Sequence, residues 1–184
     1  MRLYPTQPLV RYSTRFYASN YSSSTYQPSI EVYFGDWFVS DTRKSVNCYG
    51  YAFRLDLFVS PDHFSTQQQI TTLEQLYSNV TADLNFLGIG YRLLSSPNDN
   101  TSSNEVIIAM RLGINSEIPS LKDYHFVVKH SNGRWVHKPS KNPSELFCSS
   151  AYTPDEVVWK MLIDDEGKIF DQYDSETIYI AVTF

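Results

Sequence analysis

Residues 123–140, with the sequence DYHFVVKHSNGRWVHKPS, form the stretch around which the rest of the chain is interpreted. Two short runs of strand-forming residues, His125 to His130 and Arg134 to His137, are separated by Ser-Asn-Gly at 131–133. An Asn-Gly pair between apolar runs is the strongest short-range signal for a β-hairpin. Three of the chain's four histidines lie here. The hairpin and any histidine chemistry are therefore expected to coincide.

The length of the turn decides which side chains share a face of the hairpin. A two-residue Asn-Gly loop would pair Val128 with His137 and would place His125 and His137 on opposite faces. A three-residue loop, with Gly133 left-handed in a bulge, would pair Val127 with His137 instead. The two histidines would then be diagonal neighbours on one face. We predict the three-residue loop.

Composition limits the classes of protein to which the chain can belong. Its 184 residues are enough for one domain, which we place at 31–184 after an irregular arm rich in Tyr and Ser at 1–30. The net charge of -5 and the absence of any run of Lys or Arg argue against a nucleic-acid partner.

The chain also lacks the apolar segments that direct proteins to or across membranes. No apolar run approaches the roughly 18 to 20 residues that span a bilayer, so no membrane partner is expected. The first residues lack the continuous apolar core of a secretory signal. We therefore expect a cytoplasmic location or export by a specialised system other than the Sec pathway.

Helix signals precede the hairpin, and strand signals follow it. Asn47 is a favourable N-cap, and it predicts a helix that begins near Cys48 and ends before Pro61. From Ser65 to Gly88, a stripe at helical spacing predicts an amphipathic helix; its members are Ile70, Leu73, Tyr77, Val80, Leu84 and Leu87. Residues 30–39 are predicted to form a strand or a loop packed on the core. The other predicted elements are strands at 105–112 and 177–184, loops at 95–104 and 140–154, a short helix at 154–161 and a turn at 164–167. This order predicts an α+β fold in which an antiparallel sheet packs against the helix bearing Cys48.

One thiol and two histidines form the candidate catalytic set. A helix N-terminus and a neighbouring imidazole both favour the reactive thiolate form of a cysteine. The sequence places Cys48 at a helix N-terminus, and His125 is the best candidate for the neighbouring imidazole. His137 is placed to orient the second nitrogen of that ring. The alternative is that Cys48 is an inert buried thiol.

The remaining cysteine and histidines are given structural roles. We expect Cys148 to be a buried structural residue, although a disulfide between the two cysteines stays open. His130 beside the turn is expected to be exposed, and His63 to lie in a loop. Closely spaced ligand pairs typical of zinc sites are absent, so neither a metal nor a cofactor is expected.

The pattern His-x5-Ser-Asn-Gly-Arg-aromatic-Val-His, with Cys-x-Gly upstream at a helix start, resembles the NlpC/P60 branch of the papain-like cysteine peptidases. The resemblance covers about Asn47 to Lys138. It implies a papain-like fold, with Cys48 as nucleophile, His125 as general base and acid, and His137 as the third polar residue. NlpC/P60 enzymes that cut peptidoglycan stems typically carry Asp-Cys-Ser-Gly. This chain has Asn47 and Tyr49 around the cysteine, so the mechanism is expected to carry over and that substrate is in question.

The resemblance implies a cysteine amidase or peptidase that passes through a thioester intermediate. Four neighbours of the triad are expected to bind the substrate: Asn47, Tyr49, Tyr124 and Trp135. The expected substrate is a peptide or amide, such as a peptidoglycan stem peptide or a host protein cut by a bacterial toxin or effector. A toxin would also have an inhibitory or immunity protein as a partner. The alternatives are a deamidase, transglutaminase or acyltransferase with the same triad, and a noncatalytic glycan- or peptide-binding module.

Overall fold

The structure, a computed structural model, describes residues 46–55, 58–64, 69–114, 123–139, 144–163 and 169–184. The predicted arm at 1–30, the strand or loop at 30–39 and the turn at 164–167 lie outside the described residues. Among the helices that are described, none has the length and apolar character needed to cross a membrane.

The described residues form a mixed α/β fold with a six-stranded antiparallel sheet and few helices. The helices are α1 (Cys48–Ala52) and α2 (Leu73–Leu87), with a 3₁₀ turn at Pro154–Glu156. The strands are β1 (Gly90–Leu94), β2 (Glu105–Leu112), β3 (Tyr124–Lys129), β4 (Trp135–His137), β5 (Glu145–Cys148), β6 (Met161–Ile163), β7 (Ile169–Asp171) and β8 (Ile178–Thr183). The main sheet has the order β1-β8-β2-β3-β4-β5, and β6 pairs with β7.

These residues divide into two compact units. We call residues 46–60 and 127–150 the hairpin unit, and residues 61–126 and 151–184 the helix unit. The boundary falls inside β3, just before Val127. The single domain over 31–184 stays a prediction.

The helix α2 begins and ends where local chemistry dictates. Thr72 and Gln75 form a capping box, in which the Thr72 side chain accepts a hydrogen bond from the Gln75 N–H (3.2 Å). Gly88 ends the helix in the left-handed conformation, with φ +68°. The predicted end is confirmed, but the helix starts at Leu73, later than the predicted stripe. The buried face consists of Leu76, Asn79, Val80, Asp83 and Leu84.

The strands differ in how far local sequence predicts them. The predicted strands at 105–112 and 177–184 are confirmed as β2 and β8, and β8 lies between β1 and β2. Four strands, β1, β5, β6 and β7, were missed. The edge strand β1 shows no alternation of buried and exposed residues, and β5 lies in the Pro/Ser-rich segment that was interpreted as a loop.

The predicted helix at 154–161 is wrong beyond its first turn. Thr153 and Glu156 form a capping box, but only the 3₁₀ turn Pro154–Glu156 follows it. The Asp171 carboxylate accepts hydrogen bonds from the backbone N–H groups of Trp159 and Lys160, both at 2.8 Å. These N–H groups thereby gain partners without a helix, and β6 begins at Met161.

The hairpin has the predicted three-residue loop. Val127 pairs with His137, and Lys129 pairs with Trp135. The Gly133 N–H donates to the His130 carbonyl (2.8 Å), and the His130 N–H donates to the Arg134 carbonyl (2.7 Å). Gly133 has φ +81°, which is the left-handed conformation that a bulged loop requires.

Candidate functional site

Cys48 is the first residue of α1, where Asn47 holds the chain. The Asn47 Oδ1 accepts from the Gly50 N–H (2.9 Å), and its Nδ2 donates to the Val59 carbonyl (2.7 Å). The predicted helix start is therefore confirmed. The helix ends at Ala52, well before Pro61, so it brings only five residues of aligned backbone dipole to the thiol. The Cys48 side chain is buried, with 7% of the residue exposed.

Lys138 brings a positive charge to the same part of the hairpin unit. It directly follows β4, against which α1 packs, and only 1% of it is exposed. Burial lowers the pKa of Lys138 to about 8, and attraction to the charge of Cys48 acts in the opposite direction. This attraction is mutual, so the ammonium of Lys138 also favours the thiolate form of Cys48. Sequence analysis gave Lys138 no role, because lysines are rarely buried.

His137 lies on β4, opposite Val127 of β3. Its ring packs edge-on against Phe147 of β5, with ring centroids 5.1 Å apart. Side chains alternate along a strand, so His125 shares the face of β3 on which Val127 lies. The pairing of Val127 with His137 is the register that the three-residue loop predicted.

His125 is buried in an aromatic cluster of the helix unit, with 5% of the residue exposed. Its ring stacks on Tyr173, with centroids 5.3 Å apart, and meets the edge of Trp159 at 6.1 Å. The Tyr173 hydroxyl donates to the Asp123 carboxylate (2.9 Å), which fixes the phenol ring against the histidine. Sequence analysis missed both aromatic partners, because they lie far along the chain and carry no motif.

Arg111 holds Trp159 in this cluster. Its guanidinium lies over the indole ring, 4.9 Å from the ring centroid. Arg111 Nε donates to the Thr177 hydroxyl (2.7 Å), and its terminal nitrogens form ion pairs with Asp155 (3.4 Å) and Asp171 (3.7 Å). The indole N–H in turn donates to the Pro154 carbonyl (2.9 Å). The position of Trp159 beside His125 is therefore fixed by polar contacts as well as by packing.

The predicted substrate-binding residues are mostly built into the fold. Tyr49 and Trp135 are each 1% exposed, and Tyr49 packs against Phe53 with centroids 4.9 Å apart. The Asn47 Oδ1 caps α1, and the Asn47 Nδ2 donates to the Val59 carbonyl, so both polar atoms of this side chain are engaged. Tyr124 is half-buried, and its ring meets the edge of Phe126. Their roles in binding stay predictions, and burial favours a core role for Tyr49 and Trp135.

Two further expectations concern burial. The predicted exposure of His130 is wrong, because the residue is 5% exposed and its backbone closes the hairpin loop. His63 lies in a loop, as predicted, and is exposed. Cys148 is buried to the same extent as Cys48, and these two cysteines, both within the described residues, do not form a disulfide.

Within the described ranges, no group of three or more His, Cys, Asp and Glu side chains is arranged to hold a metal ion. Comparison of the chain with protein-family models, curated proteins and solved structures gives no match. The resemblance to the NlpC/P60 branch is thus carried by the motif residues alone.

Proposed function

We propose that this protein is a cysteine hydrolase, an amidase or peptidase, with Cys48 as nucleophile, His125 as general base and acid, and His137 as the residue that orients the base. The fold proposed for it is papain-like, of the NlpC/P60 type. The observation that carries the proposal is the register of the hairpin, because Val127 lies opposite His137. A register with Val128 at that place would have put the two histidines on opposite faces.

The surroundings of each group support its role. Cys48 lies at a capped helix start and interacts with the positive charge of Lys138, and both features favour a thiolate. The His125 ring is held by Tyr173 and Trp159, so its orientation is restricted before any substrate binds. A preoriented base loses little conformational entropy in the reaction.

The proposed reaction has two steps. The Cys48 thiolate attacks the carbonyl carbon of an amide, the C–N bond breaks, and protonated His125 gives its proton to the leaving amine. Water then attacks the resulting thioester while His125 takes a proton from it, which releases a carboxylic acid and the thiolate. The backbone N–H of Cys48 is proposed as one donor to the oxyanion that forms in each step.

The proposed substrate is a peptide or protein amide, and the proposed setting is a bacterial toxin or effector that acts on peptidoglycan peptide or on a host protein. The identity of residue 47 affects which substrate can be recognised. NlpC/P60 stem-peptide enzymes typically carry Asp at this position for the amine of the substrate, whereas the Asn47 amide is engaged with Gly50 and Val59. Recognition of a stem-peptide amine would therefore need other residues. We also propose that the protein is either cytoplasmic or exported outside the Sec pathway.

The test uses the two cysteines as a matched pair, because each is 7% exposed. The protein is incubated with peptides that carry a thiol-reactive group in place of the scissile amide, and the labelled site is identified by mass spectrometry. We expect labelling at Cys48 and loss of labelling in Cys48→Ala, whereas Cys148→Ala should label as the wild type does. Labelling of both cysteines at equal rates would overturn the proposal.

The same experiment separates hydrolysis from the related reactions. A deamidase, transglutaminase or acyltransferase would also label at Cys48 and would differ in the acceptor of the acyl group. The mass of the product formed with and without an added primary amine shows which acceptor is used. A noncatalytic glycan- or peptide-binding module would bind its ligand equally well in Cys48→Ala and His125→Ala.

A further inference from the structure

Lys138 is a buried charged residue of the hairpin unit that the proposed mechanism leaves without a role. A lysine that is 1% exposed gives up the hydration of its ammonium group, which is costly unless an opposite charge compensates it. Burial alone would favour the neutral amine. The negative charge of Cys48, in the same unit, opposes this tendency.

The local geometry places these two residues in neighbouring elements of the hairpin unit. Cys48 opens α1, α1 packs against β4, and Lys138 is the residue that follows β4. The paired part of β4 ends at His137, so strand alternation does not dictate the direction of the Lys138 side chain. Both Cys48 and Lys138 are buried within the hairpin unit.

We propose that Lys138 is a positioning residue for the proposed cysteine chemistry, and that its buried ammonium pairs with the Cys48 thiolate and keeps the nucleophile ionised at neutral pH. This inference rests on the proposed function. The thiol proton leaves to His125 or to solvent, and Lys138 keeps its own proton throughout. The α1 helix has only five residues, so its dipole is short. The charge of Lys138 thus stabilises the Cys48 thiolate in place of the dipole of a longer helix.

Two further basic residues lie in the hairpin unit. His137 precedes it in the chain and lies at the end of β4, and Arg54 lies in the turn after α1. Arg54 is also buried, at 2% exposed, and has φ +56°. The charge that acts on Lys138 from α1 is that of Cys48.

The test is the pH dependence of Cys48 alkylation by iodoacetamide, followed by mass spectrometry of the peptides that contain Cys48 and Cys148. An opposite charge within 4 to 6 Å typically moves a midpoint by about 1 to 3 pH units. Lys138→Met should therefore raise the midpoint for Cys48 by at least about one unit and slow its alkylation below that midpoint about tenfold. Lys138→Arg keeps the positive charge and should stay near the wild-type midpoint. Cys148 provides the internal control for general loosening of the structure.

A second measurement covers the case in which Lys138→Met does not fold. Nuclear magnetic resonance follows the titration of the Lys138 side chain in the wild type and in Cys48→Ser, where the thiolate is removed. The Lys138 midpoint should fall in Cys48→Ser, since the favourable charge has been lost. An unchanged Lys138 midpoint, or a Cys48 midpoint that moves no more than that of Cys148, would overturn the charge pair.

These outcomes are distinct from those that test the proposed function. If the alkylation profile of Cys48 is insensitive to Lys138 while peptide probes still label Cys48 in a His125-dependent way, only the role of Lys138 fails. If Lys138 shifts the profile and no peptide probe labels Cys48, the charge pair stands and the hydrolase proposal fails.

Discussion

Val127 of β3 lies directly opposite His137 of β4, and this pairing sets the face of the hairpin that His137 occupies. The side-chain period of a strand is two residues, so a slip of one residue would move His137 to the other face. The Ser-Asn-Gly loop with Gly133 at φ +81° sets the register. The face on which His137 lies therefore depends on one glycine.

Gly133→Ala should destabilise the protein more than Gly88→Ala does. A non-glycine residue in the left-handed conformation costs about 1 to 2 kcal/mol, and both glycines have positive φ. A methyl group at Gly133 would also lie 3.3 Å from the Ser150 Cβ, whereas nothing lies within 4 Å of one at Gly88. Chemical denaturation of the two variants measures the difference. An equal or smaller loss in Gly133→Ala would contradict the tight bulged loop.

Tyr173→Leu should lower kcat/KM about 10- to 100-fold, because misplacement of a reacting group by about 1 Å has costs of this size. Tyr173 stacks on the His125 ring and so restricts its orientation. Tyr173→Phe is the matched control, since it keeps the ring and removes only the hydroxyl that donates to Asp123. Steady-state kinetics should rank wild type, Phe and Leu in that order. Equal rates for Phe and Leu would show that stacking does not position the base.

Lys138→Met should stabilise the protein at neutral pH by about 1 to 3 kcal/mol. The pKa of Lys138 falls from 10.5 to about 8 on folding, so between these values the unfolded chain binds more protons than the folded one. The wild-type unfolding free energy should therefore rise with pH across this window, and the rise should be smaller in the variant. Chemical denaturation at several pH values measures this rise in the unfolding free energy. Lys129→Met, at a half-buried lysine whose pKa burial also lowers, should give a smaller change. Equal slopes for Lys138→Met and the wild type would contradict the prediction.

Glu105 should contribute to acid unfolding of the helix unit. Hydrogen bonds from Arg92, with Nε 2.8 Å from the carboxylate, and from the Ser102 N–H lower the pKa of Glu105 from 4.5 to about 2. A depressed carboxyl pKa stabilises the fold above about 4.5, and this contribution is lost as the pH falls through about 2. Glu105→Gln should flatten the pH dependence of the unfolding free energy in this window. A variant that keeps the wild-type slope would show that the pair does not act on stability.

The parts of the fold that sequence predicted are those that local chemistry determines. The loop of the hairpin follows from Ser-Asn-Gly, the end of α2 follows from Gly88, and β2 follows from a continuous apolar run. The strand β5 was missed because its segment is rich in Pro and Ser, and its pairing with the preceding strand β4 is not specified by local propensity. The helix predicted after Pro154 failed because Asp171, a residue far along the chain, takes the N–H groups concerned.

In the candidate site, too, local sequence predicted some features and missed those that depend on distant residues. Asn47 predicted the start of α1 and hence the place of Cys48, because an N-cap acts within a few residues. The partners of His125 come from a distant part of the sequence, and its stacking on Tyr173 had no local signal. Lys138 was missed because burial of a lysine runs against its usual preference.

The central claim is that His125 activates Cys48, and the rate at which a peptide electrophile labels Cys48 at pH 7 tests it most directly. The variants are His125→Ala and, as a control at an exposed loop histidine, His63→Ala. General-base catalysis contributes about a hundredfold or more, so His125→Ala should label at least about a hundredfold more slowly than the wild type. His63→Ala should label at the wild-type rate. Labelling of Cys48 in His125→Ala at the rate of the wild type and of His63→Ala would contradict the claim.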